Sequence, residues 1–323
     1  MTEVLDIKKT VRVAPQPGKL RLRPAPADYW ALFYGQKWWL ILFPLLAVTI
    51  ACAYAISGAP VRPVHYVAAA LGATVCTVVG ILAMASAEPR FRRLSDLRTT
   101  GAPVAGVLPS VPGWEQSGPH LIRSLAPGEV HYALSIEALR KLVVSQIGRG
   151  QSLLVVSPAG GEGRSSIAAN LAMSITEATK RVLLIDADQM RPALHRLFLP
   201  GPAVGGFARL GAGEMNWRDA IVKHASYPRI DVLPAGQPAA RKLPAAELQI
   251  RQLLQEAGRE YDLVLLDSAP LLRSPDVVDL AKSVDAVLLV VRAGETTGAA
   301  VASTLSYLRR LDANVLGIVL NAA

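Results

Sequence analysis

An α/β fold, built on a doubly wound and mostly parallel sheet and preceded by two membrane-spanning helices, is predicted by three observations. Continuous Val/Leu/Ile runs alternate with helical patterns through the second half of the 323-residue chain, as in sheets covered on both faces. A glycine-rich turn links the first of these runs to a helix. Two uncharged stretches, 38–57 and 66–86, stand before all of them.

Half of the chain is hydrophobic (51%), only 18% is charged, and mean hydropathy is +0.32. The two uncharged stretches account for much of that excess. Each is long enough to cross a hydrocarbon core of about 30 Å as a helix. Lys8, Lys9, Arg12, Lys19, Arg21, Arg23 and Lys37 precede them, and Arg90, Arg92, Arg93 and Arg98 follow. The turn between them, "GAPVRP", carries only Arg62. The positive-inside rule therefore predicts two membrane spans with both termini in the cytoplasm. Trp30, Tyr34, Trp38 and Trp39 lie where an interfacial aromatic belt is expected. The net charge of +9 points to anionic lipid at the basic flanks. No aromatic–basic interleaving marks a nucleic-acid groove, so no nucleic-acid partner is expected. Cys52 and Cys76 fall inside the apolar runs and read as packing residues rather than metal ligands.

Four segments follow from these shifts: a basic arm (1–37), a two-helix membrane hairpin (38–87), a Pro/Gly-rich juxtamembrane linker (88–130) and a cytoplasmic α/β domain (131–323). Within the linker, "VAGVLPSV" reads as a short strand or docking segment. "SIEALRKLVVSQIG" places Ile136, Leu139, Val143 and Ile147 at helical spacing. The strands are "LLVV" (153–156), "RVLLID" (181–186), "RIDVLP" (229–234), "YDLVLLD" (261–267), "DAVLLVV" (285–291) and "VLGIVLN" (315–321). "AAELQIRQLLQEAG" and "AAVASTLSYLRRLD" are helices between them.

"SPAGGEGRSS" (157–166) joins the first strand to a helix-like run, Ile167–Ile175. Such a junction is an anion site, because free N–H groups and the helix dipole point at the ligand. Gly160, Gly161 and Gly163 let the backbone wrap a phosphate; Glu162, Arg164, Ser165 and Ser166 complete the loop. Ser165 stands where a P-loop hydroxyl reaches Mg²⁺. Pro158 replaces the first glycine of the strict P-loop pattern and Arg164 replaces its lysine. Taken alone, the loop is equally an ordinary strand–helix turn. Asp186 and Asp267 end two strands, and Asp188 lies just beyond the first. Ligands bind beyond the carboxyl ends of parallel strands, where carboxylates supply oxygens for Mg²⁺. Three placed this way, beside a glycine loop, disfavour a purely helix-capping role.

"SPAGGEGRSSIAANLA", "VLLIDADQMRP" and "YDLVLLDSAP" resemble the Walker A, Walker A′ and Walker B motifs of bacterial tyrosine kinases, the cytoplasmic halves of Wzc-type polysaccharide co-polymerases. The resemblance continues through "GAPVAGVLPSVP", "EALRKL", "VLPAGQ", "DVVDLAKSVDAVLLVVRAGETT" and "VLGIVLN", and back to "DYWALFYGQKWWLIL". It implies a P-loop NTPase fold of the MinD/ParA type and a site for ATP or ADP with Mg²⁺. Gly160, Gly161, Glu162, Gly163, Arg164, Ser165, Ser166 and Asp267 would bind nucleotide. Ser165, Asp186 and Asp267 would hold the metal, and Arg164, Asp186 and Asp188 would serve phosphoryl transfer. It also implies polysaccharide synthesis and export proteins as partners, within a homo- or hetero-oligomer.

Four departures modify that expectation. Arg164 stands in place of the Walker lysine. No tyrosine follows Tyr307, where the family carries an autophosphorylated C-terminal cluster. Of the assembly motif E-x-x-R-x-x-R, Glu137 and Arg140 match but Val143 does not. The large periplasmic domain between the spans is missing. The expectation is a membrane component of exopolysaccharide or capsule biosynthesis whose ATP site has impaired kinase activity and acts as a regulatory scaffold. The alternative is an active ATP-dependent tyrosine kinase or ATPase. A Min/Par-type positioning ATPase is disfavoured, because Ala159 replaces that group's signature lysine.

Overall fold

The predicted apolar strands all pair into one sheet in the computed structural model of the chain. The structure describes Gly72, Thr74, and residues 90–91, 94–111, 127–178, 180–198, 205–210, 215–224, 227–236 and 247–322. The basic arm and both apolar runs expected to span the membrane lie outside these residues, apart from Gly72 and Thr74. No helix among the described residues is long and apolar enough to cross a membrane. The chain divides into two compact units, with the boundary between Pro89 and Arg90.

In chain order the second unit runs α1 (Leu94–Arg98), β1 (Val104–Leu108), α2 (Pro127–Gln146), β2 (Gln151–Val156), α3 (Arg164–Glu177) and β3 (Val182–Asp186). Next come α4 (Leu194–Phe198), α5 (Phe207–Leu210), a 3₁₀ turn (Trp217–Ala220), β4 (Val222–His224) and β5 (Tyr227–Leu233). The last elements are α6 (Glu247–Glu260), β6 (Leu263–Asp267), α7 (Asp276–Ser283), β7 (Ala286–Arg292), α8 (Gly298–Arg310) and β8 (Val315–Asn321). The eight strands form a single sheet in the order β1-β8-β7-β2-β6-β3-β5-β4. Every pairing is parallel except that of β4 with β5.

The central strands are buried on both faces because both are covered. One core layer includes Leu154, Val156, Leu183, Ile185, Leu266 and Leu289. The alternate residues Leu153, Val155, Leu184, Leu265 and Leu288 face the other layer, with Ile167, Leu171 and Ile175 of α3. Helix α2 joins that second layer through Ile136, Leu139, Val143 and Ile147, as their spacing predicts. Val143 is fully buried, so the residue in place of the assembly motif's second arginine is a core residue.

Within residues 88–130, expected as a linker that carries a short strand or docking segment, Val104–Leu108 form an edge strand paired in parallel with β8. Arg90 also forms a bridge with Thr297. The α/β unit therefore begins near Arg90, well before residue 131.

Three strands meet at the site through register. Val155 of β2 is paired with Asp267 of β6, and Asp267 in turn with Asp186 of β3. The two carboxylates thus end neighbouring strands, beside the loop that leaves β2.

Candidate functional site: a phosphate-type loop closed by its own arginine

The loop after β2 turns into α3 through Gly163, whose φ of 88° lies in the left-handed region. L-residues with a Cβ avoid that region. A Cβ here would also collide with the side-chain amide of Asn321. That amide donates to the Glu162 carbonyl at 3.0 Å, and Arg292 donates to the Gly161 carbonyl at 2.9 Å. The loop is therefore held in shape by the carboxyl ends of β7 and β8. The sequence reading missed Arg292, Thr296 and Asn321. All three stand at or just past the ends of parallel strands, and the rule that drew attention to the aspartates applies equally to them.

Arg164 opens α3 and folds back over the loop. Its Nη1 donates to the Ser157 hydroxyl and, at 2.9 Å, to the Ala159 carbonyl. Its Nη2 lies 3.5 Å from Asp188 Oδ2. The residue is 7% exposed, and its Nε has no hydrogen-bond partner.

Asp186 and Asp267 end neighbouring strands with Asp188 two residues beyond the first, and the oxygens of the three are committed differently. Asp186 Oδ2 accepts the N–H groups of Ala193 and Leu194 at 2.9 and 3.0 Å, and Oδ1 accepts that of Asp188 at 3.3 Å. Asp186 thus fastens the chain entering α4. Asp188 Oδ1 accepts from Met190 and Arg191 at 3.1 and 2.9 Å, leaving Oδ2 to Arg164. Asp267 is fully buried, and neither of its oxygens has a hydrogen-bond partner. Burial raises the pKa of both Asp186 and Asp267. The Asp267 charge raises Asp186 further, while Arg164 and then Ser165 pull Asp267 back. Ser165 is thus close to Asp267 but makes no bond of normal geometry to it.

Glu162 Oε1 accepts from Thr296 at 2.9 Å and Oε2 has no hydrogen-bond partner. Burial pushes its carboxyl up to about 7, against the pull of the Thr296 hydroxyl. Through Thr296 the side chain braces the loop. Among the described residues no three His, Cys, Asp or Glu side chains converge on one metal position. Asp267 and Ser165 keep free oxygens that fit Mg²⁺, which commonly takes one or two protein oxygens and completes its shell with phosphate and water. Asp186, the third expected ligand, also accepts backbone N–H groups, two at Oδ2 and one at Oδ1.

The model of the family described as cellulose biosynthesis protein BcsQ matches residues 151–313, which hold the loop and all three aspartates. Tyrosine-protein kinase YwqD of Bacillus subtilis is 31% identical over 173 residues, covering 53% of this chain and 72% of YwqD. The chain belongs to the Wzc-type bacterial tyrosine kinase family, with a BcsQ-like domain. Another relative is the succinoglycan biosynthesis transport protein ExoP of Rhizobium meliloti, 32% identical over 188 residues. The match covers 56% of this chain but only 24% of ExoP. The solved kinase domain of the Escherichia coli tyrosine kinase Etk superposes with a TM-score of 0.62 at 26% identity. It covers 70% of this chain and 92% of that domain.

Proposed function

We propose that the chain is a membrane-anchored component of exopolysaccharide or capsule biosynthesis and export, whose kinase-like domain binds ATP or ADP and acts mainly as a regulatory scaffold. One observation carries the scaffold reading: Arg164, in place of the Walker lysine, is spent on Ser157, Ala159 and Asp188. Phosphoryl transfer is positioning plus charge neutralisation. A cation turned back onto its own loop is not placed to follow charge between two phosphates. Misplacing such a group by about 1 Å costs on the order of a hundredfold in rate. Binding is spread over many N–H groups and suffers less.

The polysaccharide role rests on the printed names of relatives such as ExoP and on the family. Export and polymerisation proteins are the partners this reading names, in a homo- or hetero-oligomer. The spans at 38–57 and 66–86, with both termini cytoplasmic, rest on the charge pattern. Reporter fusions at residue 60 and at the C-terminus test them; a cytoplasmic signal at residue 60 sinks the topology.

ATP titration of the purified chain, followed by turnover assays with and without Mg²⁺, tests the scaffold reading. Binding with turnover well below about 1 s⁻¹, the lower end of typical kinase rates, is expected. Arg164→Lys should raise turnover more than affinity. One observation favours the second reading, a working kinase or ATPase: the orphaned oxygens of Asp267 beside Ser165. Wild-type turnover in the kinase range, unimproved by lysine, establishes it instead.

A further inference from the structure

The loop after β2 takes its shape from side chains outside it. Arg292 and Asn321, the last residues of β7 and β8, donate to the carbonyls of Gly161 and Glu162 at 2.9 and 3.0 Å. Glu295 lies 3.2 Å from Arg292 Nε and steadies the guanidinium. A trans peptide points its C=O and the following N–H in opposite directions. With those two carbonyls held, the N–H groups of Glu162 and Gly163 turn away from their captors. None of the N–H groups of residues 160–165 donates to an acceptor among the described residues. Local sterics do not enforce this arrangement. Gly161 has a φ of 82°, which glycine adopts as readily as a negative value, and a Cβ there would meet nothing within 4 Å. The Gly161–Glu162 peptide is therefore free to turn over, and it would then present an oxygen where its N–H stood. Each peptide carries a dipole of about 3.5 D, so that turn converts attraction for a phosphate into repulsion.

We infer that Arg292 and Asn321 are positioning residues of this loop: they fix the N–H groups of Glu162 and Gly163 toward bound phosphate, and so set the affinity for a di- or triphosphate. The inference rests on the nucleotide-binding reading above and names residues outside the loop on which that binding depends. Three features support it. The two donors hold consecutive carbonyls, so two consecutive N–H groups are aimed together, as in an anion-binding nest. The strands that supply the donors, β7 and β8, lie on one side of β2 in the sheet, while β6 and β3, which end in Asp267 and Asp186, lie on the other. The Asn321 contact is built into the fold: that residue is 4% exposed, and Thr296 ties the same stretch of loop a second time through the Glu162 side chain, at 2.9 Å. Both residues act through the backbone of the loop rather than on the ligand. A change in either should therefore weaken phosphate binding while every residue of the loop stays in place.

Calorimetry on the 323-residue chain in detergent, with Mg²⁺ throughout, tests this with two probes, ADP and pyrophosphate. Arg292→Met and Asn321→Leu should each weaken both probes about tenfold. Arg292→Lys keeps a charged donor and should stay within about threefold of wild type. Circular dichroism first establishes that each variant is folded at the titration temperature, so that lost stability alone does not move the affinity. Where Asn321→Leu does not fold, Arg292→Met carries the test through a salt series. Its deficit relative to wild type should persist at about 1 M NaCl, where charges are screened beyond about 3 Å. Affinities of both variants within about threefold of wild type overturn the positioning role. So does an Arg292→Met deficit that vanishes in salt, which reduces Arg292 to a surface charge. Pyrophosphate bound without ADP overturns the nucleotide reading alone, and the variants then decide the positioning role with pyrophosphate. Binding of neither probe by wild type overturns both.

Discussion

The two ends of strands β3 and β6 carry the same chemical groups and treat them in opposite ways. At the amino ends, Asp231 accepts from the Tyr261 hydroxyl at 2.7 Å and from Arg181 at 3.3 Å. Asp262 accepts the Arg181 N–H at 2.8 Å and pairs with Arg149 at 3.1 Å. Both carboxylates there are partnered. At the carboxyl ends, Asp267 has no donor, Glu162 has one bare oxygen, and Arg164 has a bare Nε–H. A buried polar group without a partner costs about 1–3 kcal/mol. Among the described residues, the buried side-chain atoms without a partner lie at this end, apart from Gln249 Oε1 on α6, and a ligand can repay the cost there. The contrast separates a structural clamp from a binding site without reference to any relative.

The largest effect is expected from breaking the satisfied end. Asp231→Ala leaves the buried Tyr261 hydroxyl without its acceptor and should lower unfolding free energy by about 2 kcal/mol in a urea titration. Tyr261→Phe added to Asp231→Ala should cost little more, because both ends of the bond are then gone. Independent, fully additive losses would mean that this bond is not what holds the clamp together.

At the other end the sign should reverse. Asp267→Asn removes a buried carboxylate that nothing bonds, and should stabilise the fold by about 1 kcal/mol near pH 8. Burial raises the Asp267 pKa, so its charged form opposes folding. The gain should therefore shrink as pH falls and the wild-type carboxyl takes up a proton. Hydrolysis, where present, should be lost in the same variant. An Asp267→Asn protein less stable than wild type at pH 8 would place Asp267 among the structural groups.

How far the sequence discloses this contrast depends on the kind of information each part needs. Strands such as Leu263–Asp267 are legible because burial on both faces demands an unbroken apolar run. The loop and the three aspartates are legible because strand ends converge on one edge of a parallel sheet. Strand β1 is harder to see: it is five residues long, half-buried, and close to prolines at positions 103 and 109. Strand β4, three residues and antiparallel, gives no periodic signal. The commitments of the site oxygens are not local at all. Asp186 looks like a metal ligand in the sequence. Its role as a clamp depends on the path that brings the Ala193 and Leu194 N–H groups back to it. The inward turn of Arg164 depends likewise on Ser157 and Ala159 meeting its guanidinium across the loop.

A smaller effect comes from Glu162. Burial pushes its carboxyl up to about 7, against about 4.3 in an unfolded chain. Between those values the unfolded state holds fewer protons than the folded one, so this group's contribution to stability falls as pH rises. It is fully present below about pH 4 and gone above about pH 7 to 8. Glu162→Gln should flatten that part of the slope in thermal melts taken from pH 5 to 8, leaving a remainder from Asp186 and Asp267. An unchanged slope would mean that the Thr296 hydroxyl already satisfies the ionised carboxylate.

The smallest effect is expected where the comparison is most easily misjudged. Arg181 and Arg164 each face one aspartate at a similar distance, 3.3 and 3.5 Å, and a list of ion pairs would rank them alike. Their surroundings differ. The Arg181 side chain is 54% exposed and lies with its guanidinium carbon 5.0 Å from the centre of the Tyr261 ring. Water can replace much of what its head group does, and Asp231 keeps the Tyr261 hydroxyl when the arginine is gone. Exposed pairs of this kind contribute about 0.2–1 kcal/mol, and salt weakens them. Arg181→Gln should therefore cost about 0.5 kcal/mol at low salt and less at 1 M NaCl. ADP affinity should be unchanged, since the opposite end of the sheet carries the loop. A loss above about 2 kcal/mol, in the range of a buried pair stripped of one partner, would make the clamp as dependent on its arginine as the loop is on Arg164. Partner saturation would then no longer distinguish the two ends.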